Sequence, residues 1–190
     1  PFIYTNSQEV EFDGCKMLFV PWICDDNYEH SMNMLRTSTA EIVMGHLEIK
    51  GIEMQNGVIN EHGNEKADFK RFERVISGHF HKHSDDGQIY YLGAQYEMTW
   101  SDYKDPKAFH VFDTETREIT KIPNTRTIHK KIIYDDSKHD YNNFDLTPYN
   151  DHFVKLIVLN KKDNEMFDSF LGRCYNEITI HDLQIIEDYS

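Results

Sequence analysis

Two short apolar runs that each end in glycine followed by histidine constrain this chain more than any other feature. The first is "AEIVMGH", which ends at His46, and the second is "RVISGHFH", which contains His79 and His81. Short apolar runs of this kind are typical of buried strands. Glycine lets the chain turn sharply where a strand stops and lets a ligand approach the backbone. The pattern therefore predicts two strands that each place a histidine at the edge of a sheet.

If the two strands are adjacent, His46 and His79 come together at that edge. His81 lies two residues further on, so its side chain points the same way as that of His79 while the backbone stays extended. Three neutral imidazoles that converge at one edge suit a first-row divalent metal. We therefore predict His46, His79 and His81 as metal ligands. The alternative is that each is an ordinary polar loop residue, which is our interpretation of His83.

The other histidines have no partner at ligand spacing, and we interpret them as surface or packing residues. They are His30, His62, His110, His129, His139, His152 and His181.

The remaining patterns predict a mixed α+β fold. Asp13-Gly14 marks a turn between two short strands, and "KAFHVFDTETREITKIP" alternates as a hairpin does. Asp25 and Asp26 are candidate N-caps for a helix, because Tyr28 and the apolar residues after it follow helical spacing. Cys15 and Cys24 flank an apolar strand, so we expect both thiols to be buried.

The composition changes after Pro123, where we place a domain junction. Residues 126–150 are polar and loop-like, and they are followed by "HFVKLIVL", a helix capped by Asp163, and "DLQIIED". These three segments predict a small β-α-β unit, which is too small to fold well alone. We therefore predict a first domain over 1–125 and a second over 126–190.

The net charge and the cysteine content limit which partners and which compartment the chain can have. The 190 residues carry a formal net charge of −13, so long-range attraction to nucleic acid is excluded and any DNA contact must be local or come from a partner. Three cysteines without a CxxC motif indicate a reducing compartment, and we expect a cytoplasmic protein. No apolar run approaches the roughly 20 residues that span a bilayer. The chain starts without Met, in a strand-like stretch, and we expect it to be part of a longer protein.

Taken together, these motifs resemble a known family. Gly45-His46, followed by Gly78-His79-Phe80-His81, resembles the last two metal motifs of the calcineurin-like metallophosphoesterases. The following block, "YYLGAQYEMTWSDYKDPKAFHVFDTETREITKIPN", resembles the SbcD-type DNA double-strand-break repair nucleases, above all the recombination endonuclease subunits of T-even-like phages. The resemblance covers nearly the whole chain, from about residue 3 to residue 190.

The resemblance implies a fold, a metal centre and partners. It implies the C-terminal part of a β-sandwich flanked by helices, with a small α/β cap domain over 126–190 that positions DNA. It implies two divalent ions, usually manganese, with His46 and His79 on one ion and His81 on the other. It also implies DNA as substrate, an SbcC-like ATPase as partner and a homodimer formed mostly through other regions. The compartment that it implies is the cytoplasm of a bacterium or of a phage-infected host.

Several family elements are missing from this sequence. The family's first three motifs, which supply the bridging aspartate and the histidine that assists the leaving group, do not occur, and we expect them upstream of Pro1. Gly93-Ala94-Gln95 stands where relatives often have Gly-Ser-Pro or Gly-Thr-Pro. We therefore expect these 190 residues alone to be inactive. Two other functions stay open: a non-catalytic metal- or DNA-docking module, and a phosphatase or cyclic-nucleotide phosphodiesterase.

Overall fold

In the computed structural model, both Gly-His runs form neighbouring parallel strands of one sheet. The structure describes residues 3–55 and 57–187. The described residues through Gln95, together with Asp105–Thr125, form one compact unit. Tyr96–Lys104 and the described residues from Arg126 onward form the other. The architecture is mixed α+β, with mostly strands and, in the described ranges, two α-helices.

The first unit is built on a six-stranded sheet with the order β1-β2-β3-β6-β8-β7, as far as the described residues show. Its strands β2, β3, β6 and β8 are parallel, while β1 and β7 pair antiparallel at the two ends. The strands of this unit are β1 (Gln8–Phe12), β2 (Cys15–Val20), β3 (Ile42–Gly45), β4 (Glu53–Gln55), β5 (Val58–Ile59), β6 (Arg74–Ser77), β7 (Ser84–Asp85), β8 (Ile89–Tyr91), β9 (Lys107–Phe112) and β10 (Ile119–Asn124).

Both faces of the parallel strands are buried, which is why their sequences read as continuous apolar runs. Val43 and Val75 belong to the main core, into which helix α1 (Tyr28–Thr37) places Met32 and Leu35. Their neighbours Ile42 and Ile76 point to the opposite face and pack in a second cluster. The alternation of the strand thus distributes consecutive apolar residues between two cores.

The predicted Asp13-Gly14 turn and the predicted hairpin are confirmed in this unit, whereas the predicted helix cap is wrong. Asp13 and Gly14 both have positive φ, at 47° and 85°, and join the antiparallel strands β1 and β2. Strands β9 and β10 form the predicted hairpin. Asp25 and Asp26 do not cap α1: its N-cap position is Asn27, whose Oδ1 accepts a hydrogen bond from the Cys24 amide at 2.9 Å.

The second unit contains a three-stranded parallel sheet with the order β11-β12-β13. Its elements are β11 (His129–Asp135), β12 (His152–Asn160), helix α2 (Asn164–Asn176) and β13 (Ile180–Glu187). The predicted β-α-β segment is thus present, and the predicted Asp163 cap is confirmed because its Oδ1 accepts from the Met166 amide at 3.0 Å.

The loop-like interpretation of residues 126–150 is wrong for much of that range. His129–Asp135 is a strand, and Tyr141, only 1% exposed, packs in the core of the unit. Its hydroxyl donates to the Ile133 carbonyl at 2.8 Å and accepts from the Asp135 amide at 2.9 Å. Polar composition alone does not reveal this strand, because the polar groups of the segment are satisfied by specific hydrogen bonds within the protein.

All three cysteines are free. Cys15 and Cys174 are buried, but Cys24 is exposed, which corrects the prediction of a buried thiol there. Burial raises the pKa of the Cys174 thiol to about 11, so this group stays protonated at neutral pH. Within residues 3–55 and 57–187 no helix combines the length and apolar character needed to cross a membrane.

Candidate functional site

The candidate site lies where three parallel strands end. Val20 in β2 pairs with Gly45 in β3, and Gly45 pairs with Ser77 in β6, so all three strands stop at the same level. The side chains that follow are Trp22, His46 and His79. In open sheets with parallel strands, ligands commonly bind outside the carboxyl ends of the strands. This edge is therefore the candidate ligand-binding position of the first unit.

The structure brings the two Gly-His histidines together at this edge. The ring centroids of His46 and His79 are 5.3 Å apart, and the planes are nearly perpendicular at 76°. The indole of Trp22 lies against both, with ring centroids 4.9 Å from His79 and 6.0 Å from His46. His46 is exposed and His79 is half-buried, so the pair is reachable from solvent.

Close packing excludes a side chain at Gly45 and crowds one at Gly78. A Cβ added to Gly45 would lie 2.5 Å from the carbonyl oxygen of Val20, which is backbone and cannot move aside. A Cβ added to Gly78 would lie 3.0 Å from Nδ1 of His46. The His46 ring thus rests on the backbone of Gly78. The Gly-His pairs are a packing requirement of this edge as well as a turn signal.

His79 has an unusual backbone conformation. Its φ is +88°, a region that residues with a side chain rarely adopt. Such conformations cost of order 1–3 kcal/mol and persist where the surrounding structure enforces them, often at functional sites. Holding an imidazole in this conformation directs it toward His46 and Trp22 instead of along the strand.

A hydrogen-bonded support fixes the segment that follows His46. The amide of Leu47 donates to Oγ of Ser77 at 2.9 Å, and the Tyr91 hydroxyl donates to the Leu47 carbonyl at 2.8 Å. The same hydroxyl accepts from the Ile49 amide at 3.1 Å. Tyr91 is completely buried, and its burial raises the phenol pKa well above its usual range, so the hydroxyl keeps its proton.

The surroundings keep His46 neutral. Desolvation lowers the pKa of its imidazole, and the nearby His79 ring lowers that pKa further. A histidine held neutral retains a nitrogen lone pair, which is the form that binds a metal ion. The Nδ1 atom faces Gly78, so Nε2 is the ring nitrogen on the opposite side.

His81 and His83 lie in the loop that follows. The carbonyl of His81 accepts from the Ala94 amide at 2.9 Å and from the Lys107 ammonium at 3.0 Å. Gly93, with φ +74°, packs so closely on this loop that an added Cβ would lie 2.9 Å from the His83 amide nitrogen. The Gly93-Ala94 segment is therefore a structural support of the loop that carries His81.

The donor set fits a contribution to a metal centre rather than a complete one. Two imidazoles at one sheet edge are ligands that divalent first-row metals accept. In the part of the chain that the structure describes, however, no three His, Cys, Asp or Glu side chains are grouped to hold an ion. A metal ion bound at His46 and His79 would require further ligands.

Sequence reasoning missed two features of this region. Trp22 follows β2 in sequence but joins the histidine edge only through the parallel pairing of β2 with β3, which no local pattern reveals. His83 was interpreted as a polar loop residue, and His110 as lacking a partner. Their rings are 5.6 Å apart, and Nδ1 of His83 donates to the Tyr91 carbonyl at 2.7 Å. The pair is separated by too many residues for spacing to suggest it.

Comparison with known proteins gives one informative match. Exonuclease subunit 1 of Enterobacteria phage T4 is 33% identical over 186 residues, which is 97% of this chain and 52% of that protein. This chain is similar to a phage exonuclease subunit. It spans about half the length of that relative. No family model matches the chain.

Proposed function

We propose that this chain carries part of the metal centre of a DNA nuclease that hydrolyses phosphodiester bonds in recombination and double-strand-break repair. The observation that supports it most is the pair His46 and His79, with ring centroids 5.3 Å apart at the carboxyl edge of a parallel sheet. The similarity to the T4 exonuclease subunit supports a nuclease over a phosphatase or cyclic-nucleotide phosphodiesterase.

Each histidine has a role in this proposal. His46 and His79 bind one ion and His81 contributes to a second, as in the metallophosphoesterases that the sequence resembles. The ions that these histidines would hold, which we take to be manganese, would supply Lewis-acid chemistry: binding of the phosphodiester and a lower pKa for a water molecule. The bridging carboxylate and the leaving-group histidine come from outside the residues described. Trp22 shields one side of the histidine pair from solvent, and Ser77 and Tyr91 hold the segment after His46 in place.

The proposal extends to partners. The T4 relative is named a subunit, so we propose that the protein works in a complex, with an SbcC-like ATPase as its partner and with itself as a homodimer. Because the chain has a net charge of −13, we propose that DNA contact depends on local groups and on these partners. The compartment proposed is the cytoplasm.

A matched pair of histidine variants tests the metal role. His79→Ala in the full-length protein should abolish manganese-dependent DNA hydrolysis and weaken Mn²⁺ binding, measured by titration calorimetry. His62→Ala, which changes an exposed histidine of the same unit, should leave both unchanged. If the His79→Ala protein still binds and cleaves as the unmodified protein does, the histidine pair is not part of the metal centre.

A second function is a non-catalytic module that binds metal or docks DNA, with His46 and His79 as the metal-binding pair. The same assay distinguishes the two: a docking module would bind DNA in the full-length protein but show no hydrolysis that depends on His79.

A further inference from the structure

A cleft opens beside Trp22 in the first unit, next to the histidine edge. Its volume is about 290 Å³, and its lining includes Trp22, Tyr28, Glu48, Asn64, Glu65 and Asp68. The two aromatic side chains are each about half exposed, Trp22 at 45% and Tyr28 at 48%. Trp22 therefore contacts the rings of His46 and His79 and also lines the cleft. Through Trp22, the cleft adjoins the sheet edge that carries His46 and His79.

The charge of the cleft restricts what can enter it. Three acidic side chains line it, and of these Glu65 is paired with Lys50 at 3.1 Å. Carboxylates in a partly enclosed cleft repel a phosphate group. They accept hydrogen bonds, however, from the amino and imino groups of a neutral ligand, as does the amide oxygen of Asn64. The cleft therefore suits a flat, uncharged group with N–H donors rather than an anion.

The size of the cleft also suits a small, flat group. Sites for small molecules usually have volumes of roughly 300–1,000 Å³, so this one is at the lower end. A cleft of this volume has room for a single heterocyclic ring. Exposed aromatic side chains are the groups on which nucleobases stack in proteins that bind single strands.

We propose that Trp22 and Tyr28 form a stacking site for one unpaired nucleobase, adjacent to the phosphate that reacts at His46 and His79. This inference rests on the proposed nuclease function and specifies its substrate: the nucleotide next to the scissile phosphate is unpaired, as at a frayed or single-stranded end. The acidic lining keeps the phosphates out of the cleft and at the histidine edge. Stacking of one base is worth about 5- to 150-fold in affinity.

A fluorescent base tests the stacking directly. DNA with 2-aminopurine as its unpaired terminal nucleotide is bound to the full-length protein in EDTA, so that no hydrolysis occurs. Stacking on Trp22 should quench the 2-aminopurine emission. The quenching should disappear in Trp22→Ala and be largely kept in Trp22→Phe, which retains a ring of smaller area. Phe109→Ala is the control, since Phe109 lies in β9 of the same unit, is 46% exposed and does not line the cleft.

A second measurement separates stacking from mere packing of Trp22 on His79. Removing the terminal base from the DNA should weaken binding by the unmodified protein about 5- to 150-fold. The Trp22→Ala protein, in contrast, should bind the abasic DNA as tightly as it binds intact DNA. If Trp22→Ala discriminates against abasic DNA as strongly as the unmodified protein, or if neither discriminates, the stacking site is disproved.

These outcomes are distinguishable from a failure of the proposed function. Base-dependent quenching without any His79-dependent hydrolysis would support the stacking site and contradict the nuclease. Hydrolysis that depends on His79, together with equal binding of abasic and intact DNA, would leave the nuclease in place and overturn the stacking site.

Discussion

At the scale of single residues, the backbone conformation of His79 is the feature that points most clearly to a functional role rather than to a role in folding. Its φ of +88° would suit glycine, yet a histidine occupies the position. The ring contacts that histidine gains there are with His46, Trp22 and Phe80. A conformation that costs energy in the absence of a ligand is expected where the side chain is needed for binding.

Two substitutions of His79 should therefore differ in stability but not in metal binding. Both His79→Gly and His79→Ala remove the imidazole, so both should lose metal binding. Only glycine relieves the backbone, so His79→Gly should be more stable than His79→Ala by about 1 kcal/mol. Urea unfolding of the two variants measures the difference. A glycine variant that is less stable than the alanine variant would show that the positive φ carries no strain.

At the scale of elements, the position of His46 depends on a strand that is not its neighbour. The Tyr91 hydroxyl at the end of β8 bonds to the Leu47 carbonyl and the Ile49 amide beyond the end of β3. The sequence predicted the strand and the Gly-His turn because both are local. It could not predict this support, since the bond joins residues 44 positions apart. Sequence periodicity places strands but does not show which buried hydroxyl reaches which loop.

Tyr91→Phe should consequently loosen this edge. The change leaves the buried Ile49 amide without its partner, and the Leu47 carbonyl keeps only the longer hydrogen bond from Oγ of Ser77 at 3.4 Å. A buried group left unsatisfied costs about 1–3 kcal/mol. Denaturant unfolding should show the loss, and manganese binding by the full-length protein should weaken although no ligand is altered. Tyr28→Phe is the control in the same unit, because Tyr28 is 48% exposed and its change should stay within about 0.5 kcal/mol. Equal stability of the two variants would contradict the supporting role.

The segment Tyr96–Lys104 belongs to the second unit through a buried carboxylate. Glu97 is 3% exposed, and it accepts from the Ile128 amide at 2.7 Å, the His129 amide at 2.8 Å and the Lys104 amide at 3.3 Å. The predicted ranges, 1–125 and 126–190, place this segment in the first domain. Its membership in the second could not be predicted from composition, because it rests on contacts between residues distant in sequence, such as the Glu97 hydrogen bonds and the packing of Trp100 on His129 with ring centroids 4.5 Å apart.

Glu97 should make the second unit sensitive to acid. Burial raises the pKa of Glu97, but the backbone hydrogen bonds lower it more, so the net pKa is below its ordinary value of 4.5. A carboxyl whose pKa is lower in the folded state stabilises the fold above the unfolded pKa, and this contribution is lost as the pH falls through the folded pKa. Glu97→Gln should be less stable at pH 7 by about 1.5–3 kcal/mol. Unfolding followed from pH 7 to pH 3 should show the gap between the two proteins closing below about pH 4.5; a constant gap would contradict the assignment.

At the scale of the whole molecule, charge and ligand number limit what the chain can do by itself. The formal net charge of −13 opposes DNA binding at physiological salt. Composition alone was sufficient for that expectation. The limit on the number of metal ligands could be seen only in the structure. The fold brings His46 and His79 together, and no group of three potential ligands occurs in the described ranges. The T4 relative is about twice as long as this chain.

The 190 residues alone should therefore not hydrolyse DNA. Two dications held roughly 3.5–4 Å apart need an anionic ligand between them, because neutral imidazoles cannot offset their repulsion. His46 and His79 on their own should bind a single ion, and they should favour zinc, nickel or copper over manganese. The test incubates the purified chain with single- and double-stranded DNA and excess manganese, and compares Zn²⁺ with Mn²⁺ binding by calorimetry. Cleavage that survives purification and disappears in the His79→Ala chain would mean that a complete catalytic centre lies within these residues.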